Sequence, residues 1–164
     1  MKLLRSLFLL PILLVPAFCQ TDRVDLISDK AGRAEAKVSG LVLRADEATL
    51  NSETGELRMR GHVHVTLPAR EDHTVVRYGK GVLLTRQSIG LTADQVTVKS
   101  GLLEASGNLV LVPADPELTK VQLQGDQMYM YLKIADATLR GSVRASGVSE
   151  GHGGSVEFPP EIIE

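Results

Sequence analysis

A small residue followed by aspartate recurs three times in this 164-residue chain, and each time a glycine follows at nearly the same distance. Ala45-Asp46 leads to Gly61, Ala93-Asp94 to Gly107 and Gly125-Asp126 to Gly141, separations of 15, 13 and 15 positions from aspartate to glycine. A unit this short, with apolar alternation on both sides of the aspartate, is a β repeat rather than a helical one.

Side chains on a strand alternate between its two faces. Ahead of each aspartate the apolar positions are odd-numbered: Leu41, Leu43 and Ala45; Ile89, Leu91 and Ala93; Val121, Leu123 and Gly125. Beyond it they are even-numbered: Ala48 and Leu50, Val96 and Val98, Met128 and Met130. A one-residue change of phase sends every later side chain to the opposite face, so the chain must bend or bulge to keep one face inward. Each Ala/Gly-Asp pair is therefore a corner.

Polar or small residues at 51–55, 99–101 and 133–136 turn the chain into a second alternating strand. It carries Leu57, Met59, Val63 and Val65 in the first unit, Leu103, Ala105, Leu109 and Leu111 in the second, and Ala137, Leu139, Val143 and Ala145 in the third. Gly61, Gly107 and Gly141 lie on the apolar parity, where a strand glycine marks a bend or a close backbone approach. The expected fold is all-β, a stack of bent hairpins around one continuous apolar interior. A fainter copy, VDLISDKA, puts Ser28-Asp29 at a corner. Gly61 and Asp94 are 33 positions apart, against 19 for Gly107 and Asp126, so an extra strand or a long loop interrupts the repeat. Residues 67–81, with Pro68, Arg70, Glu71 and Asp72, read as a polar loop enclosing a short strand at 74–76. Residues 113–119 are a second connection, and the Gly- and Pro-rich stretch 148–164 is a tail with one further strand at 155–158.

The first residues have the parts of a secretory signal: Lys2 and Arg5, an apolar run over 7–18, and Ala17-Phe18-Cys19 before Gln20. The run is about a dozen residues, whereas a membrane-spanning helix needs about 20. Residues 1–19 are therefore expected to be a cleaved leader and the protein to be exported; an uncleaved anchor is the alternative, and Pro11 and Pro16 weigh against it. Cys19 is the only cysteine, so the exported domain at 20–147 has no disulfide and depends on its core. Without Lys2 and Arg5 the chain keeps 16 basic and 20 acidic residues, a balance that argues against nucleic acid as a partner. It also keeps only Phe158, Tyr78, Tyr129 and Tyr131 as aromatics and has no tryptophan, so aliphatic and methionine side chains must line the interior. Such a lining is ordinary core, and as a surface it also suits hydrocarbon chains better than sugar rings.

The chemical motifs favour structural roles. His62 and His64 share one strand face, with Asp72 and His73 nearby in sequence, but a metal needs a third converging ligand and nothing in the sequence fixes that convergence, so no metal is expected. Asp46, Asp94 and Asp126 occupy the same position three times, which suits corner residues that accept backbone N–H bonds better than an asymmetric catalytic pair. Gly147-Val148-Ser149-Glu150-Gly151 has the Gly-x-Ser-x-Gly spacing but runs into the Gly- and Pro-rich tail without the strand-to-helix pattern of a nucleophile elbow, and no phosphate-loop spacing is present, so no catalysis and no cofactor are expected. Tyr129 and Tyr131, two apart, form either a surface patch or part of a cross-strand aromatic pair.

The segments ISDKA, LRADEATLNSETGELRMRGHVHV, IGLTADQVTVKSGLLEASGNLVLV and LQGDQMYMYLKIADATLRGSVRASG together resemble the OstA-like family, over residues 24–147. The resemblance implies a twisted β-jellyroll with an open apolar groove. It implies stacking of domains, sheet edge on sheet edge, with further copies or with inner-membrane and outer-membrane lipopolysaccharide-transport proteins. It also implies lipopolysaccharide as the ligand, its lipid A acyl chains in the groove and its sugars in solvent. The candidate groove lining is then Leu50, Leu57, Met59, Val63, Val65, Val96, Val98, Leu109, Leu111, Met128, Met130 and Leu139. An exported adaptor domain that closes its interior and binds only protein is the alternative.

Overall fold

The computed structural model describes residues 24–28, 33–114, 121–149 and 152–157. The expected leader, Asp29 of the faint first corner, most of the 113–119 connection and Phe158 lie outside these residues. All elements among them are strands: β1 (Asp25–Ser28), β2 (Ala34–Val38), β3 (Leu41–Ala45), β4 (Glu47–Asn51), β5 (Glu56–Leu67), β6 (Thr74–Tyr78), β7 (Gly81–Thr85), β8 (Ile89–Lys99), β9 (Leu102–Pro113), β10 (Gln122–Tyr131), β11 (Asp136–Arg140), β12 (Arg144–Ser149) and β13 (His152–Glu157). They form a large, open, mixed sheet in the order β1-β2-β3-β5-β8-β9-β10-β11-β6-β7, with β4 on β5 and β12 bridging β10 and β13. The last strand begins earlier than the expected 155, because Gly153 and Gly154 pair with Val148 and Gly147.

The corners divide this sheet into two arms. Strands β5, β8, β9 and β10 run through both. One arm, here the hairpin arm, holds β4, β11, β6 and β7 and the tight turns. The other, the terminal arm, holds β1, β2, β3, β12 and β13. The registers of β5–β8, β8–β9 and β9–β10 each slip at the corner, between Arg60 and Val63, Thr92 and Gln95, and Gly125 and Gln127. At each slip a glycine and its successor oppose a single aspartate. Gly61-His62 and Gly107-Asn108 are all at positive φ (75° and 43°, 76° and 43°), a bulge with glycine leading in the left-handed region. Such bulges bend the strand, and a row of them bends the sheet.

Bending brings the apolar faces together. The buried side chains of both arms form one cluster, from Ala36 and Leu43 through Met59, Leu91, Leu103 and Leu123 to Met128 and Leu139. They line up across the strands: Leu57, Val98, Leu103, Met130, Ala137, Val76 and Leu83 are successive register partners in the hairpin arm. Leu43, Val65, Leu91, Leu111 and Leu123 do the same in the terminal arm. Burying each large aliphatic side chain is worth about 1.5–3 kcal/mol, which lets a chain without disulfides hold this shape.

The interruption of the repeat is a whole hairpin rather than a polar loop with one short strand. Residues 81–85 were not foreseen as a strand because Val82 and Leu84, on the outward face, are as apolar as inward Leu83, which erases the alternation. β6 runs parallel to β11, with Val76 opposite Ala137, and Arg77 Nη2 lies 3.2 Å from Asp136 Oδ2 across the pair. The chain thus leaves the terminal arm at Leu67, reaches the far side of the hairpin arm, and returns to the terminal arm at Ile89. Its two connections cross the side of the molecule opposite the corners, where the Arg70 N–H donates to the Arg86 carbonyl at 2.9 Å.

Candidate functional site: the corners, the interior and its open side

The corner aspartates sit directly on the corner glycines. A Cβ at Gly61 or Gly107 would stand 2.5 Å from Oδ2 of Asp46 or Asp94, and one at Gly141 would stand 2.3 Å from Oδ2 of Asp126. The same oxygen then binds the residue after the glycine. Asp46 Oδ2 meets His62 Nδ1 at 2.7 Å, Asp94 Oδ2 accepts from Asn108 Nδ2 at 2.8 Å, and Asp126 Oδ2 accepts from the Ser142 backbone N–H at 2.9 Å. Only the third matches the expected bond to backbone; in the other two a side chain takes that place. The near-constant spacing in the sequence is the length of chain that brings aspartate and glycine side by side in paired strands. These groups are solvent-exposed, and their bonds are used in holding the bend.

His62 is therefore a corner residue. The Asp46 hydrogen bond, then the Asp46 charge and that of Asp94, hold its imidazole above the ordinary histidine value. His64 lies on the outer face between Arg44 and Thr92. Among the described residues no three ligating side chains converge. Tyr129 does not pair with another aromatic: its cross-strand neighbours are Glu104 and Thr138, and the Arg140 guanidinium lies 5.3 Å from its ring centre.

The twelve candidate lining residues all project into the space between the arms. Leu50, Leu57, Met59, Val96, Val98, Met128, Met130 and Leu139 come from the hairpin arm, and Val63, Val65, Leu109 and Leu111 from the terminal arm. Eleven are buried; Leu50, on the edge strand β4, is half-buried. Their side chains fill the interior, and Val98 also reaches its open side.

That opening is a cavity of about 690 Å³ on the side opposite the corners. One wall comes from the hairpin-arm turns, with Gly55, Val98, Lys99, Gly101, Leu132 and Lys133; the other comes from Val24, Val38 and Ser39, with Arg70 of the crossing connection. The cavity is where the apolar interior meets water. Arg70 Nε is buried there without a hydrogen-bond partner. Among the residues facing it, only Val98 belongs to the expected lining. Val38, Leu132 and Arg70 were missed, because they lie in different segments that meet only in the folded chain. Leu132 carried a signal, an apolar residue opening a polar turn; Arg70, in an aperiodic stretch, carried none.

Glu56, beside this rim, receives Arg58 and Lys99, and their hydrogen bonds hold its carboxyl below the usual glutamate value. No family model and no curated protein matches the chain.

Proposed function

We propose that the protein is a periplasmic carrier of lipopolysaccharide, a twisted β-jellyroll of the OstA-like kind that holds lipid A acyl chains between its two arms and performs no catalysis. One observation carries the proposal: an interior whose fully buried side chains are aliphatic or methionine, with Tyr78 packed against its edge, reaches solvent between the two arms through a cavity rather than being sealed all round. Each methylene transferred from water into such an interior contributes about 0.8 kcal/mol, so several acyl chains bind without specific polar contacts. The repeated corner motifs and their resemblance to the family supply the choice of ligand and compartment.

In this proposal, transfer between membranes uses the edges of the sheet. β1 at one end exposes Leu26 (45%) and Ile27 (54%), and β7 at the other exposes Val82 (49%) and Leu84 (55%). Unpaired edge strands with apolar side chains accept a further strand, and the partners are the inner-membrane and outer-membrane lipopolysaccharide-transport proteins or further copies of this chain. A second reading, an envelope adaptor that binds only protein, is favoured by the burial of eleven of the twelve lining residues.

Mass spectrometry of lipid extracted from the mature protein, purified from a Gram-negative envelope beside Val98→Asp, separates the two. Lipid A species in the parent and none in a Val98→Asp protein with unchanged circular dichroism is the expected result. A folded parent protein without lipid would overturn the carrier reading in favour of the adaptor.

A further inference from the structure

The cavity on the open side carries a charge pattern that the apolar interior does not require. Three cations, Arg70, Lys99 and Lys133, line it, and no carboxylate does so among the described residues, although the chain as a whole has an excess of acidic groups. Lys99 is engaged with Glu56 at 3.3 Å. Arg70 is not engaged in this way: its Nε is buried and unpartnered, and no ion pair of its guanidinium occurs among the described residues. A buried donor without an acceptor costs stability unless water or a ligand takes the bond, and this one borders the open cavity. The side chains beside it, Val38, Val98 and Leu132, are apolar.

We propose that this cavity recognises the phosphate group of an acylated lipid, with Arg70 donating to the phosphate oxygens, Lys133 supplying a second positive charge at the rim, and the chains entering past Val38, Val98 and Leu132. A phosphate monoester carries close to two negative charges at neutral pH and several acceptor oxygens, which matches one planar guanidinium and one unengaged ammonium. The apolar members of the lining, Val24, Val38, Val98 and Leu132, favour an amphiphile over free phosphate. The crossing connection, which interrupts the repeat, is on this account what carries the recognition residue to the mouth of the interior. The inference rests on the reading of the domain as a carrier of acyl chains and adds a head-group requirement to it.

Calorimetry on the mature protein with monomeric dioctanoyl phosphatidic acid, the matching dioctanoylglycerol and inorganic phosphate tests it. Phosphatidic acid should bind about tenfold more tightly than the neutral glyceride, the size expected of one charged hydrogen bond in a partly buried site, and Arg70→Gln should abolish that preference. Lys133→Gln, at an exposed position where folding is not in question, should reduce the preference by about threefold. Inorganic phosphate at the same concentration should give no heat. Equal affinity for the two lipids, or a preference that survives both substitutions, would overturn the head-group site while leaving the carrier reading intact. Binding of inorganic phosphate as tight as that of the lipid would overturn the assignment to a lipid. Failure of both lipids to bind would overturn the carrier reading with it.

Discussion

The corners and the open side of this sheet are built on opposite plans. At the corners one local solution, an aspartate over a glycine with a third residue closing the bond, is used three times, and the polar atoms involved are satisfied within the chain. The open side is mixed: beside the β4–β5, β8–β9 and β10–β11 turns, one from each unit, it takes in β2 and the crossing connection that interrupts the repeat, and it leaves a buried guanidinium nitrogen unpaired. The polar groups that hold the bend pair with one another, whereas Arg70 Nε on the open side has no partner among the described residues.

The sharpest way to break this contrast uses two glycines of equal backbone conformation. Gly107 at a corner and Gly101 in the β8–β9 turn both sit at φ +76°, but a Cβ at Gly107 meets Asp94 at 2.5 Å and one at Gly101 meets nothing within 4 Å. Gly101→Ala should therefore cost about 1 kcal/mol, the left-handed strain alone, and Gly107→Ala about 3 kcal/mol in urea unfolding. An Asp94→Gly background removes the clashing carboxylate and should reduce the Gly107→Ala penalty by about 1 kcal/mol or more. Equal costs at the two glycines would mean that the aspartate does not define the corner.

A smaller effect of opposite sign is expected from the polar side chains. Asp126→Ala takes the acceptor from the Ser142 N–H and should destabilise by about 1 kcal/mol. Arg70→Met keeps the apolar stem and removes the unpaired Nε, so it should leave stability unchanged or raise it by up to about 1 kcal/mol. Thermal unfolding of the two variants beside the parent decides the matter; a loss at Arg70→Met as large as that at Asp126→Ala would place Arg70 in the scaffold.

The same contrast sets what could be read from the sequence. The corners were legible because the geometry admits one residue type: a side chain at Gly61, Gly107 or Gly141 would collide with the aspartate. The interior was legible because inward positions follow a period of two, broken only at Asp46, Asp94 and Asp126. The excursion was not. Its strand β7 has apolar residues on both faces, and its parallel pairing with β11 joins residues near 76 to residues near 137 with no local signal. The partner of His62 was hidden too, since the even spacing of His62 and His64 suggested one shared strand face. The bulge at Gly61 instead turns the His62 ring onto Asp46.

Titration separates the first corner from the other two, and here the smallest effect is expected, because both partners stand in solvent. Asn108 closes the second corner with the same φ of 43° as His62 and carries no titratable group. The His62 pKa is raised in the folded state, chiefly by the Asp46 hydrogen bond and then by its charge. The folded protein therefore binds the proton more tightly than the unfolded chain. The stabilisation is fully present below the unfolded value of about 6.5 and is lost as pH rises through the higher folded value, so this pair gives stability a downward slope above that point. His62→Asn should erase the slope. It should leave overall stability near that of the parent, since asparagine, like histidine, is among the residues that tolerate the left-handed conformation. The measurement is urea unfolding of parent and variant across neutral pH, read as the difference between the two curves: a difference that falls with rising pH supports the pairing, and a flat one would detach His62 from Asp46 and leave the first corner resting on the Gly61 contact alone.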